Sequence, residues 1–182
     1  AKIVGTQKIV PSIIKFVDIA GLVAGAHKGE GLGNKFLSHI REVNLILYVL
    51  RAFEDSEIIR AGSVDPGADF ETLEMELTLA DLETVEKQKE AKGTKSPRDI
   101  IREEAIDKLK NTLNNGKPAR QVEFSKEEQE EIKFLNLLTV KPAMAVLNIS
   151  EKDIGRGEDI IVETKKRYPK ILELVKEIVP IS

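Results

Sequence analysis

The chain has 182 residues, of which 41% are hydrophobic and 32% charged, which is typical of a soluble globular protein of one or two domains and excludes a disordered one. It has no cysteine, which excludes disulfide bonds and thiolate metal sites and favours a reducing, cytoplasmic environment. The net charge of −3 gives no overall attraction for nucleic acid, and no apolar run approaches the ~20 residues of a membrane helix, so we expect no DNA and no membrane partner.

Three short apolar segments are predicted to be strands. Their near-continuous apolar character is typical of strands buried on both faces of a parallel sheet. They are SIIKFVDI at 12–19, NLILYVLRAF at 44–53 and PAMAVLNI at 142–149. Between the first two lie a glycine-rich stretch, residues 17–36, and a short predicted helix with Phe36, Leu37 and Ile40 on one face. After the third strand, residues 157–179 are predicted to be helical except at Pro169.

The middle of the chain is predicted to be helical. The first helix runs from Asp69 to about residue 92, where Gly93 breaks it, and its apolar positions step by three and four. These positions are Phe70, Leu73, Leu77, Ala80 and Thr84. Ser96 and Pro97 begin a second helix that ends before Gly116, and a third begins at the capping-box pair Ser125 and Glu128.

The order of these elements predicts an α/β fold with a helical insertion. Residues 1–68 and 136–182 make the α/β part, and residues 69–135 form an antiparallel helical hairpin inserted into it. Two interpretations of the hairpin stay open, a solvated structural arm and a surface that binds a partner.

Asp18 and Gly21 end the first predicted strand in the pattern Asp-x-x-Gly. In open α/β sheets ligands lie beyond the carboxyl ends of the strands, where a carboxylate can hold Mg²⁺ and a glycine amide can approach a phosphate. The alternative is an ordinary turn, but the glycines that follow favour a loop that changes conformation.

Asn148 and Glu151 follow the third predicted strand in a similar way. A carboxamide offers both a donor and an acceptor to a purine edge, whereas a carboxylate offers acceptors alone. In isolation, an ordinary polar loop after a strand is the favoured interpretation of this pair.

The chain resembles the YchF/Obg-like ATPases of the TRAFAC P-loop class. The resemblance is carried by FVDIAGLVAGAHKGEGLGNKFLSHIREVNLILYVLRAFED, SVDPGADFETLEMELTLADLETVEK, GKPAR, LNLLTVKPAMAVLNISEKD and the terminal VPIS, in the family's order. It implies a partial P-loop NTPase-type G domain whose inserted helices form a coiled-coil arm. It also implies an ATPase that uses Mg²⁺, with ribosomes or ribosomal RNA as partners.

The resemblance also implies roles for individual residues. Asp18 would act on Mg²⁺, through water, and the Gly21 amide would sense the γ-phosphate. Asn148 and Glu151 would replace the Asn-Lys-x-Asp of true GTPases, a change that goes with accepting ATP. Further contacts to the base would come from Ile149, with its backbone, and from Ser182.

Hydrolysis needs a group that orients water, and Leu22 occupies the position of the glutamine found in Ras-like proteins. His27 is a candidate catalytic residue, although an exposed loop histidine is the favoured interpretation. His39 is expected to be a surface or packing residue.

The family's Walker A motif, Gly-x-x-x-x-Gly-Lys-Ser/Thr, its switch I threonine and its C-terminal TGS domain do not occur in these 182 residues. Since the chain also begins with Ala1 and not Met, we expect a fragment or processed product that binds nucleotide weakly. Two alternatives to the ATPase stay open, a GTP-binding Obg-type GTPase and a non-catalytic module that acts through its helical arm.

Overall fold

Three parallel strands form one sheet in the computed structural model, which describes residues 13–17, 37, 39–53, 64–89 and 93–182. The strands are β1 Ile46–Arg51, β2 Ala143–Asn148 and β3 Ile178–Ile181, in that spatial order. β2 lies in the middle, and the register pairs Ile46 with Ala143 at one end and Arg51 with Asn148 at the other. The predicted α/β class and the strands at 44–53 and 142–149 are confirmed.

Besides a short helix before β1, five helices accompany the sheet in the described residues. They are α1 Pro66–Glu86, α2 Pro97–Asn114, α3 Lys126–Ile132, α4 Gly157–Arg167 and α5 Pro169–Leu174. Short 3₁₀ turns occupy Ala119–Gln121, Lys133–Leu135 and Glu151–Arg156. The predicted caps are confirmed: Ser96 and Ser125 each form a complete capping box, and Gly116 has a positive φ of 68° just after α2.

The short helix before β1 includes Leu37 and residues 39–42. Leu37 and Ile40 are both buried in the core, which confirms their predicted shared face, whereas Phe36 lies outside the described residues. His39 is exposed, which confirms a surface position.

The described residues form two hydrophobic clusters, and α1 contributes to both. In the first, the amino-terminal half of α1 covers β1, where the rings of Phe70 and Tyr48 meet edge to face with centroids 5.0 Å apart. In the second, Val85 at the far end of α1 joins Leu109 of α2 and Ile132 of α3.

α1 and α2 run antiparallel. The start of α2 lies near the end of α1, since Gln88 and Glu103 line one cavity. The chain then returns toward the middle of α1, where Met75 Cε lies 3.4 Å from the position that a Cβ on Gly116 would occupy. The helical hairpin is therefore present, while its description as an inserted coiled-coil arm bounded at 69 and 135 stays a prediction.

The strand predicted at 12–19 is absent from the five residues of it that the structure describes. Residues 13–17 pair with no strand, and Ile13, Ile14 and Phe16 are 90%, 77% and 78% exposed. Apolar and β-branched residues favour a strand only where a neighbouring strand supplies hydrogen bonds and a packing surface. The described neighbours supply neither, so the composition of this segment alone was misleading.

The helix predicted over 157–179 is correct up to Leu174 and wrong beyond it. Val175 is extended, with φ −114° and ψ 148°, and β3 follows. The reason is pairing with β2: Lys176 N donates to Ala143 O at 2.8 Å, and Ala145 N donates to Glu177 O at 2.9 Å. Backbone hydrogen bonds of this kind outweigh an apolar spacing that would equally suit a helix.

Candidate functional site

The carboxyl ends of the three strands meet at one edge of the sheet, where ligands of open α/β sheets bind. Asn148 ends the central strand, opposite Arg51 on one side and Ile181 on the other. Backbone hydrogen bonds of 2.8 Å hold this row together, from Ala52 N to Asn148 O and from Ile149 N to Ile181 O. Because Ser182 follows Ile181 directly, the structure brings the predicted residues Asn148 and Ser182 to the same edge.

Glu151 lies at this edge too. The chain leaves β2 through Ser150, and Glu151 begins a 3₁₀ turn closed by a 2.8 Å hydrogen bond from Asp153 N to Ser150 O. Glu151 and Ser182 are exposed, and Asn148 is half-buried. The edge therefore offers solvent a carboxamide, a carboxylate and a hydroxyl, which together can accept from and donate to a heterocyclic base.

The side chain of Ile149 belongs to the core, with 4% exposure. Its Cδ1 lies 3.8 Å from the position that a Cβ on Gly157 would occupy, and Pro180 Cγ lies 3.0 Å from the same point. The first turn of α4 thus packs closely over the ends of β2 and β3. The buried side chain of Ile149 therefore supports the edge, while its backbone N–H takes part in the edge itself by donating to Ile181 O.

Arg51 and Phe53 are edge residues that sequence reasoning missed. Arg51 Nε donates to Phe53 O at 2.9 Å, and the guanidinium lies 4.8 Å above the centre of the Phe53 ring. Residues paired across a parallel ladder share a face, so Arg51 and Asn148 project to the same side of the sheet. The signal was present in the sequence as a cation and an aromatic residue directly after an apolar strand.

A buried polar triad fixes β1 beneath this edge. The Tyr48 hydroxyl donates to Glu74 Oε1, and Arg120 Nη1 reaches both oxygens of the same carboxylate at 2.9 and 2.8 Å. Burial, and next the charge of Glu74, raises the pKa of Tyr48 well above its ordinary value, so its hydroxyl keeps the proton and remains a donor. The triad joins β1, α1 and the turn after α2.

Asp18, Gly21 and His27 lie outside the described residues. Within the part of the chain that is described, no three His, Cys, Asp or Glu side chains converge as a metal site. In the same residues, no helix has the length and apolar character needed to span a membrane.

The chain is similar to known proteins over most of its length. A family model described as "50S ribosome-binding GTPase" matches residues 3–149. The chain is 50% identical over 198 residues to the ribosome-binding ATPase YchF of Bacillus subtilis, covering 97% of this chain and 54% of that protein. It is 41% identical over 174 residues to Obg-like ATPase 1 of Oryza sativa, covering 92% and 43%.

A solved structure gives a similar result. The YchF GTPase of Schizosaccharomyces pombe matches with a TM-score of 0.62 and 34% identity, covering 87% of this chain and 46% of that one. The chain spans about half the length of the curated relatives it matches, 54% and 43% in the two cases above. On the family match over residues 3–149, the chain belongs to the family of 50S ribosome-binding GTPases, among the YchF/Obg-like P-loop proteins.

Proposed function

We propose that the protein to which these residues belong binds and hydrolyses ATP as a slow conformational switch. The observation that carries the proposal is the convergence of Asn148, Glu151 and Ser182 at the carboxyl edge of the sheet. The names of the relatives, ribosome-binding ATPase YchF and Obg-like ATPase 1, support the choice of nucleotide and reaction.

In this proposal the edge recognises the adenine base. Asn148 donates and accepts along the purine edge, Glu151 accepts, and Ser182 contacts the base from the other side. Glu151 is one methylene longer than the aspartate of true GTPases, which displaces its oxygens from the positions that guanine N1 and N2 require. Arg51 adds a cation held beside Asn148, suited to an electron-rich part of the nucleotide.

The phosphate side of the site rests on residues outside the described part of the chain. We assign Asp18 to Mg²⁺, Gly21 to the γ-phosphate and His27 to the orientation of water. The donor set fits Mg²⁺, which in nucleotide sites takes one or two protein carboxylates and completes its shell with phosphate oxygens and water. When bound, Mg²⁺ neutralises phosphate charge. His27→Ala in the intact protein is expected to slow turnover.

These 182 residues alone are expected to bind ATP weakly, because a Walker A loop supplies most of the triphosphate affinity and none occurs among them. Calorimetric titration with ATP and Mg²⁺ checks this. Micromolar affinity would contradict it.

Preference for ATP over GTP is the test of the base-recognition proposal. Glu151→Asp in the intact protein is expected to favour GTP. The dissociation constant for ATP divided by that for GTP should rise about tenfold if one hydrogen bond to a charged group is gained. Lys152→Ala, one residue away and exposed, serves as the control. An unchanged ratio in Glu151→Asp would remove Glu151 from base recognition.

GTP hydrolysis is the second candidate function. It is favoured by the descriptions of the family model and of the Schizosaccharomyces pombe structure, both of which say GTPase. A parent protein that binds GTP more tightly than ATP would establish it in place of the first.

The ribosome or its RNA is the proposed partner, and the cytoplasm the proposed location, on the strength of the relatives' names. We assign residues 1–68 and 136–182 to the nucleotide-binding domain and residues 69–135 to a coiled-coil arm. Cosedimentation of the intact protein with ribosomes, with ATP and without nucleotide, tests this role. Binding that does not depend on nucleotide would favour a non-catalytic interaction module.

A further inference from the structure

Arg41 and Lys141 connect the short helix before β1 with distant parts of the chain. Arg41 Nη1 donates to Asn136 O at 3.0 Å, and Nη2 donates to Thr84 Oγ1 at 2.9 Å. In the opposite direction, Lys141 Nζ donates to Arg41 O at 3.0 Å and to Val43 O at 2.8 Å. We name these four hydrogen bonds the Arg41–Lys141 clamp.

The short helix depends on this clamp for its position. Isolated short helices are only marginally stable, because the cost of nucleating the first turn is offset only over several turns. Lys141 donates to the carbonyl of Arg41, in the last turn of the helix, and to that of Val43, just beyond it, and its charge suits a helix carboxyl end. On the inner side Leu37 and Ile40 hold the same helix to the first cluster.

The other end of the clamp lies on α1 of the helical hairpin and on the segment around Asn136 that packs against the hairpin. Thr84 lies on α1 next to Val85, and Asn136 lies between Leu135 and Leu137, all three neighbours being members of the second cluster. The segment after Asn136 is fixed to α1 as well, because Asp81 accepts from Leu138 N at 2.8 Å and from Thr139 N at 2.7 Å. The two acceptors of Arg41 therefore move together with the hairpin.

Resting on the proposed nucleotide switch, we propose that the Arg41–Lys141 clamp transmits the nucleotide state from the sheet to the α1–α2 hairpin. The short helix follows in sequence the glycine-rich stretch that contains Asp18 and Gly21. A displacement of this helix must either break the clamp or carry Thr84 and Asn136 with it. Arg41 and Lys141 are positioning residues in this scheme, and the planar guanidinium suits Arg41 because it addresses two acceptors at once.

Distance measurements between two spin labels test the clamp. Cysteines introduced at Glu104 on α2 and Lys165 on α4, both exposed, carry the labels in the intact protein, and no cysteine in these 182 residues competes for them. Pulsed electron paramagnetic resonance is recorded with and without a non-hydrolysable ATP analogue and Mg²⁺, and calorimetry confirms saturation. We expect the analogue to shift the distance in the parent protein, and Arg41→Ala or Lys141→Met to abolish that shift.

Three further variants separate coupling from simple stability. Thr84→Val removes one acceptor of Arg41 and is expected to reduce the shift, whereas Thr84→Ser keeps the hydroxyl and the shift. Arg98→Ala is the matched control, since Arg98 is a cation on α2 with a side chain 84% exposed. If Arg41→Ala does not fold, the Thr84→Val and Thr84→Ser pair decides the question.

Each outcome has a distinct meaning. Failure of the analogue to bind the parent protein would refute the proposed nucleotide switch and the clamp with it. Binding without a change in distance, or a change that Arg41→Ala and Thr84→Val both retain, would overturn the clamp and leave the nucleotide function standing. By linkage, a true coupling also appears as a change in analogue affinity in the same variants.

Discussion

Gly67 leaves the least room for a side chain among the glycines that the structure describes. A Cβ at this position would lie 2.1 Å from Cδ1 and 2.3 Å from Cε1 of the Tyr168 ring. Gly67→Ala is therefore expected to lower the free energy of unfolding by about 1–3 kcal/mol through overpacking, although alanine is otherwise the better helix former. Thermal or urea unfolding of the variant measures this.

Gly155→Ala is the matched control, because nothing lies within 4 Å of the Cβ it would add. Combining Gly67→Ala with Tyr168→Ala should remove most of the penalty, since the double-mutant cycle isolates the contact between the two positions. An equal penalty with and without the Tyr168 ring would show that the contact is not its cause.

At the scale of elements, the first turn of α1 is set by Asp65, whose carboxylate accepts from Gly67 N and Ala68 N at 2.9 Å. The hydrogen bond from Ala68, followed by one from the Tyr168 hydroxyl, lowers the pKa of Asp65 below its ordinary value. Asp65→Ala is expected to cost about 1 kcal/mol at pH 7, the usual effect of losing an N-cap. Unfolding of both proteins by urea across a pH series measures the difference.

The sign of the pH dependence follows from the lowered pKa. The stabilisation by Asp65 is complete above the pKa of about 3.9 that an unfolded aspartate has, and it is lost as the pH falls through the lower folded pKa. The difference between parent and Asp65→Ala should thus be constant from pH 7 to about pH 5 and shrink below about pH 4. Asp65→Asn, which caps without titrating, should not show this loss, and a gap that widens in acid would contradict the argument.

Helices were predictable where their ends carry local signals, and the strands β1 and β2 were predictable because each is itself a near-continuous apolar run. Ser96 and Ser125 mark the starts of their helices in the sequence, because each forms a capping box with the acidic residue three positions later. β3 could not be predicted in this way, since its hydrogen bonds come from Ala143 and Ala145, more than thirty residues away. The wrong strand prediction at 13–17 has the same cause. Whether an apolar segment forms a strand depends on a neighbouring strand, which the local sequence does not reveal.

At the scale of the whole molecule, the sequence predicts part of the candidate site at the carboxyl edge of the sheet. Asn148 and Glu151 were assigned from the family resemblance, and the topology accounts for their position, since parallel strands end at one edge. The same rule, applied to the strand ending at Arg51, would have found that residue as well. The burial of Ile149 was not predictable, because it depends on α4 crossing the edge at Gly157. The roles of Asp18, Gly21 and His27 stay predictions.

The continuity of α1 through both hydrophobic clusters leads to a prediction about how the molecule unfolds. Leu109 is fully buried in the second cluster, and Leu109→Ala should lower the free energy of unfolding by about 2–5 kcal/mol. Because α1 carries Phe70 in the first cluster and Val85 in the second, the loss should reach β2 as well as the hairpin. Amide hydrogen exchange should then show equal acceleration at Leu147 and at Leu113.

Ile100→Ala, on the exposed side of α2, should leave both rates unchanged. Faster exchange confined to Leu113 would instead make the hairpin an independently unfolding unit, which is the behaviour expected of an inserted arm with its own core.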